Sequence, residues 1–70
     1  MAHEWIEPYP DGTAIHYRQS NGSAQVRIVA ELCSVHGEVV ATTEESFRMN
    51  AISFNREQIL NQIRRKLGVL

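Results

Sequence analysis

Between residues 24 and 32 the chain exchanges apolar and polar positions with a period of two. Ala24, Val26, Ile28, Ala30 and Leu32 fall on one side, and Gln25, Arg27, Val29 and Glu31 on the other. That period predicts a half-buried strand with one covered face. Upstream, TAIHYRQ repeats the pattern, with Ile15 and Tyr17 on one face and Ala14, His16 and Arg18 on the other. Asn21-Gly22 between the two runs is a hairpin signal, because both residues tolerate the positive φ of a type I′ turn. Downstream, His36-Gly37 supplies a second tight turn, and EVVATT, residues 38–43, a third strand of high β propensity.

The period then changes. In FNREQILNQIRRKLG, Ile59, Leu60, Ile63 and Leu67 share one helical stripe, roughly 100° wide. Asn55 with Gln58 has the form of a capping box, and Phe54 with Ile59 that of a hydrophobic staple. Gly68 is a natural stop. These signals predict a helix over residues 55–67. A sheet with one bare face and a helix with one apolar stripe should cover each other. The expected fold is α+β: a three-stranded antiparallel meander over residues 13–49 packed against one C-terminal amphipathic helix. A fourth strand is added if residues 44–54 form one. No glycine marks a turn at residues 43–46, which favours instead a long third strand continuing through Phe47.

Residues 1–12 read as an irregular arm. Glu7-Pro8 and Tyr9-Pro10 bias it toward extended backbone, and Pro10-Asp11-Gly12 is a turn signal. Trp5, Ile6 and Tyr9 are too apolar for a free tail, so they are expected to meet the domain or a second copy.

With 70 residues the chain has room for one core, and a domain of this size buries only about 60% of the surface its unfolded form exposes. Disulfides, metals or self-association usually supply the remainder. Cys33 is the sole cysteine, which excludes an internal disulfide and suits the cytoplasm. The N-terminal residues resemble neither a secretory signal nor a transit peptide, and no apolar run approaches the ~18 residues of a membrane span. With 43% hydrophobic and 21% charged residues, the composition is that of an ordinary globular domain.

Net charge is −1, but it is unevenly spread. Residues 1–45 are acidic. Residues 46–70 carry Arg48, Arg56, Arg64, Arg65 and Lys66 against Glu57 alone. Those side chains, with Arg27, are the candidates for phosphate contact. A meander followed by a helix also resembles, in element order, the DNA-binding domains of some phage and transposon integrases and, more loosely, AP2-type domains. The resemblance implies that the exposed sheet face would enter a major groove, where Gln25 and Arg27 could read bases. The opposing reading is that a basic last turn complements the helix dipole. HYRQSNG and GEVVATTEESF further resemble the hairpin phrases of small YegP-type repeat proteins, a likeness that implies no activity.

Catalytic chemistry finds little support. Cys33 and His36 stand three apart in CSVH, but a lone cysteine is more often a small buried hydrophobe than a nucleophile. His3, His16, His36 and Cys33 match no zinc spacing; two Cys33–His36 sets across a twofold axis could still make four ligands. Glu44 and Glu45 fall on opposite faces of an extended strand, as charges that protect an edge do. Neither an enzyme nor a cofactor, metal or small-molecule substrate is expected. The expected function is a small interaction or regulatory module acting on a protein partner or on itself as a homodimer. Such proteins are common in bacteria and phages. Trp5, Ile6 and Tyr9 are the candidate contacts, the acidic arm meeting a neighbour's basic helix. Nucleic-acid binding through the six cations is the alternative.

Overall fold

A computed structural model describes residues 2–70; for residues 2 and 49–55 it describes the backbone course alone. Four strands, β1 (Ala2–Pro8), β2 (Ala14–Asn21), β3 (Gln25–Cys33) and β4 (Val39–Arg48), are followed by one helix, α1 (Met49–Lys66). The sheet is antiparallel throughout, in the order β1-β2-β3-β4. The fold is therefore α+β, a meander backed by a C-terminal helix, as the two periodicities imply.

The long strand favoured through Phe47 is present, and a fourth strand lies elsewhere. Residues 44–48 prolong the strand that starts at Val39, and the additional strand is β1, in the segment expected to be an irregular arm. Its pairing runs from Ala2↔Ser20 to Pro8↔Ala14. Proline tolerates that position because it closes an edge strand, where no ladder partner needs its missing N–H.

Two of the three hairpins share one device. Tyr9 N–H donates to Thr13 O (2.9 Å) and Gly12 N–H to Tyr9 O (3.1 Å), with Gly12 at φ +93°. Ser34, Glu38 and Gly37 repeat these bonds at 2.8 and 2.9 Å, with Gly37 at +83°. Both are three-residue loops whose last residue takes the left-handed conformation, a role that glycine fills without strain. The β2–β3 turn departs from expectation. Neither Asn21 nor Gly22 has positive φ, and Gly22 N–H donates to Gln25 O (2.7 Å), so the chain reverses beyond them. The resulting register extends the β2–β3 ladder from Asn21↔Val26 to Ala14↔Cys33 and sets the large Tyr17 ring opposite the small Ala30.

The helix also starts earlier than the capping signals suggest. Arg48 is its N-cap and makes no side-chain cap bond, which leaves Asn55 inside the helix. The Phe54–Ile59 staple and the Asn55 cap involve side chains outside the described residues. The C-terminus is as expected. Gly68 (φ +82°) donates to Arg65 O and Val69 to Arg64 O, the paired bonds that terminate a helix at a left-handed residue.

The core lies between the helix and one sheet face. Ile15, Tyr17, Val26, Ile28 and Ala30 meet Leu60, Ile63 and Leu67, with Trp5, Tyr9, Leu32, Ala41, Phe47, Ile59 and Val69 packed around them. Trp5, on β1, and Tyr9, just after it, are thus half-buried against the core. Apolar area removed from water stabilises in proportion to its extent, so β1 adds cover that a three-stranded version would lack.

Candidate functional site

The sheet has one covered face and one open one. On the open face the register aligns Glu4, Arg18, Val29 and Glu44 in one cross-strand row and Ile6, His16, Glu31 and Thr42 in the next. Glu4 and Arg18 pair at 3.2 Å, and Arg27 pairs with Glu44. Both pairs are exposed, so each stabilises weakly while neutralising its surroundings. Toward the loops the next row is apolar, Pro8, Ala14, Cys33 and Val39, with Cys33 buried and Pro8 and Val39 exposed. Ile6 (59% exposed), Val35, Val39 and Val40 (61%) all stand in solvent. A hollow of about 410 Å³ beside β1 is lined by Glu4, Trp5, Ile6, His16 and Tyr17.

Of the three predicted contact residues, Ile6 is exposed, whereas Trp5 and Tyr9 are half-buried against the core. Trp5 lies flat against Tyr17, ring centres 4.8 Å apart and planes at 12°, and His3 stacks over it at 5.3 Å. The Arg56 guanidinium caps the indole at 4.9 Å and donates to Gln19 Oε1 at 2.9 Å. Tyr9 donates its hydroxyl to Glu7. The strand period explains the division: residues 3, 5, 7 and 9 share the helix side, residues 4, 6 and 8 the other.

Glu7 is the residue that sequence reasoning missed. Its Oε1 accepts from Arg64 Nε (3.0 Å), from Tyr17 OH (3.2 Å) and from Tyr9, while Oε2 accepts from Arg64 Nη2 (2.6 Å). The fork of hydrogen bonds from Arg64 holds the Glu7 carboxyl down at about 2, against a smaller opposing effect of burial. Burial, and then the bond to Glu7, pushes the Tyr9 phenol up to about 12. Burial raises Tyr17 as well. Only the pairing of β1 turns Glu7 inward between Trp5 and Tyr9, and an inward acid needs a cation on the element that covers it. The acid-to-base match expected between an arm and a neighbour's helix is met within one chain.

The six candidate phosphate contacts are not brought together. Arg27 lies on the open face against Glu44, Arg56 over Trp5, Arg64 on Glu7 and Lys66 on Glu45. Arg48 is exposed at the start of the helix and Arg65 on its outer face. Four of the six thus already have partners inside the molecule. Cys33 is buried, its Sγ 4.0 Å from the Glu31 carbonyl. His36 is exposed in the β3–β4 turn, where its N–H donates to Ser34 Oγ at 3.2 Å. No group of three or more metal-ligating side chains occurs among the described residues, and no helix is long and apolar enough to cross a membrane. Comparison with known proteins finds no matching family, no matching curated protein and no matching solved structure.

Proposed function

We propose that this chain is a small non-enzymatic interaction module of the cytoplasm that acts through protein–protein contact, as a homodimer. The observation that supports this reading is the exposed Ile6 on a sheet whose other face packs against the helix. An apolar residue on an edge strand, bordered by the Glu4–Arg18 pair and by His16, has the makeup of an interface core with a polar rim. The motive is narrower than the sequence suggested, because Trp5 and Tyr9 are satisfied at home. What remains is a strip of surface along β1 and the loop end.

Nucleic-acid binding is the weaker reading. Phosphate recognition needs cations free to leave their counter-ions, and Arg27, Arg56, Arg64 and Lys66 are already engaged. Sedimentation equilibrium over a wide concentration range, with titration of duplex and single-stranded DNA at two salt concentrations, separates the two. Dimer mass without DNA binding is the expected result. A monomer that binds DNA with steep salt dependence would replace this reading by the alternative.

A further inference from the structure

We infer that two copies join along β1, edge to edge, with Ile6 of each on the twofold axis, to make one continuous eight-stranded sheet. This rests on the homodimer reading above and names its contact.

Backbone parity decides what the edge offers. The bond from Tyr9 N–H to Thr13 O makes that pair a hydrogen-bonded one, and such pairs alternate along an antiparallel ladder. Glu7, Trp5 and His3 therefore direct their peptide groups to β2. Ala2, Glu4, Ile6 and Pro8 direct theirs outward, Pro8 as an acceptor only. A twofold axis normal to the sheet then pairs one outward set with the other.

Charge selects the register. An axis at Glu4 sets two carboxylates opposite each other. An axis at Trp5 brings together two indoles, each capped by an Arg56 guanidinium at 4.9 Å. An axis at Glu7 again opposes carboxylates. With the axis at Ile6, Ile6 meets Ile6, Glu4 meets Pro8 and Trp5 meets Glu7 across the junction. Arg56 of one copy then stands beside the acid of the other, and the two Ile6 side chains cover each other next to the hollow on the open face. Ile6 N–H of each copy donates to Ile6 O of the other, and Glu4 N–H of each donates to Pro8 O of the other; Pro8, lacking an N–H, returns no bond to Glu4 O. β4 is the poorer edge. Val39 and Val40 sit at its very start, so an axis there runs off the strand. An axis at Glu44 or at Glu45 opposes that carboxylate with its own copy.

Single-cysteine crosslinking in a Cys33→Ser background tests the arrangement. Directly opposed residues of a hydrogen-bonded pair lie about 5.5 Å apart at Cα, within disulfide reach; residues offset by four do not. Mild oxidation should link Ile6→Cys into a covalent dimer and leave Glu4→Cys monomeric, with circular dichroism confirming that both variants fold. Linking of Glu4→Cys instead, or of an equimolar mixture of the two variants but neither alone, overturns the register. A dimer by sedimentation in which none of these links overturns the β1 contact and leaves the homodimer reading standing. A monomer at every concentration overturns both.

Discussion

Glu7 near the end of β1 and Arg64 near the end of α1 face each other over 57 positions of sequence, joined by hydrogen bonds of 3.0 and 2.6 Å. The pair is largely shielded, with 16% of the Arg64 side chain and 28% of the Glu7 side chain exposed. It ties the first element of the chain to the last, and Tyr9 and Tyr17 complete the shell around the carboxylate. A shielded carboxylate held by a forked guanidinium is strongly ordered, but removing one partner strands the other.

Acid sensitivity follows from this pair. Glu7 titrates near 2 in the folded chain and near the ordinary 4.3 when unfolded. Its stabilising contribution is therefore complete above the unfolded value and disappears as pH falls toward 2. After discounting for solvent access, about 1–2 kcal/mol is at stake. Denaturant titrations from pH 7 to pH 2 should show stability declining below about 4.5, and Glu7→Gln should start lower and decline less. Equal slopes for the two proteins would remove Glu7 from the account.

The alkaline limb has the opposite sign. The Tyr9 phenol is raised to about 12, so the unfolded chain loses that proton first, near 10. Stability should be unaffected below about pH 10 and fall as pH rises toward 12. Tyr9→Phe, which keeps the ring, should flatten that fall. Phenolate absorbance recorded against pH should show one tyrosine titrating later than in the unfolded chain, Tyr17 being later still.

β1 is expected to be essential, as an irregular arm would not be. Trp5→Ala removes the ring that lies on Tyr17 and beneath Arg56 and should cost about 2–4 kcal/mol. Deleting residues 1–8 strips Trp5 and Glu7 together and should abolish cooperative unfolding, whereas Ile6→Ser should leave monomer stability nearly unchanged. Thermal melts followed by circular dichroism check all three. A deletion variant that melts like the intact chain would show that β1 does not support the core.

The difference between legible and illegible parts of this chain has a physical basis. The strands around Ile15 and Ile28 and the stripe Leu60, Ile63, Leu67 are readable because one face of each is apolar at a single period, and the strand around Ala41 because of its β-branched residues. β1 alternates too, but its inward set is His3, Trp5, Glu7 and Tyr9, in which a charged residue occupies a core-facing place. Glu7 looks like a solvent residue until Arg64 is known to be above it, and no local pattern reports a partner 57 positions away. Two prolines reinforced the misreading, since each punctuates the chain without showing that the strand runs up to Pro8. Ile6 stands among the candidate contacts in the sequence, but only the pairing of β1 separates it from Trp5 and Tyr9. The turn at Asn21-Gly22 was locally plausible as well. It yielded to a register that pairs Tyr17 with Ala30 over a longer ladder.

The β1–β2 and β3–β4 loops are matched in backbone but not in surroundings. Gly12 and Gly37 take nearly the same φ, +93° and +83°, so replacing either with alanine incurs a similar backbone strain, about 1 kcal/mol. Their surroundings differ. A Cβ on Gly12 would lie 2.9 Å from Val35 Cγ1, across the gap between the two hairpins, while one on Gly37 would meet nothing within 4 Å. Gly12→Ala should therefore destabilise more than Gly37→Ala. Adding Val35→Ala should recover the steric part of the loss at position 12 and nothing at position 37, a coupling that a double-mutant cycle isolates. Because Val35 is exposed and sits in a loop, the recoverable part should be smaller than the strain itself. Equal losses at the two glycines, insensitive to Val35, would mean that the two hairpins do not touch in solution.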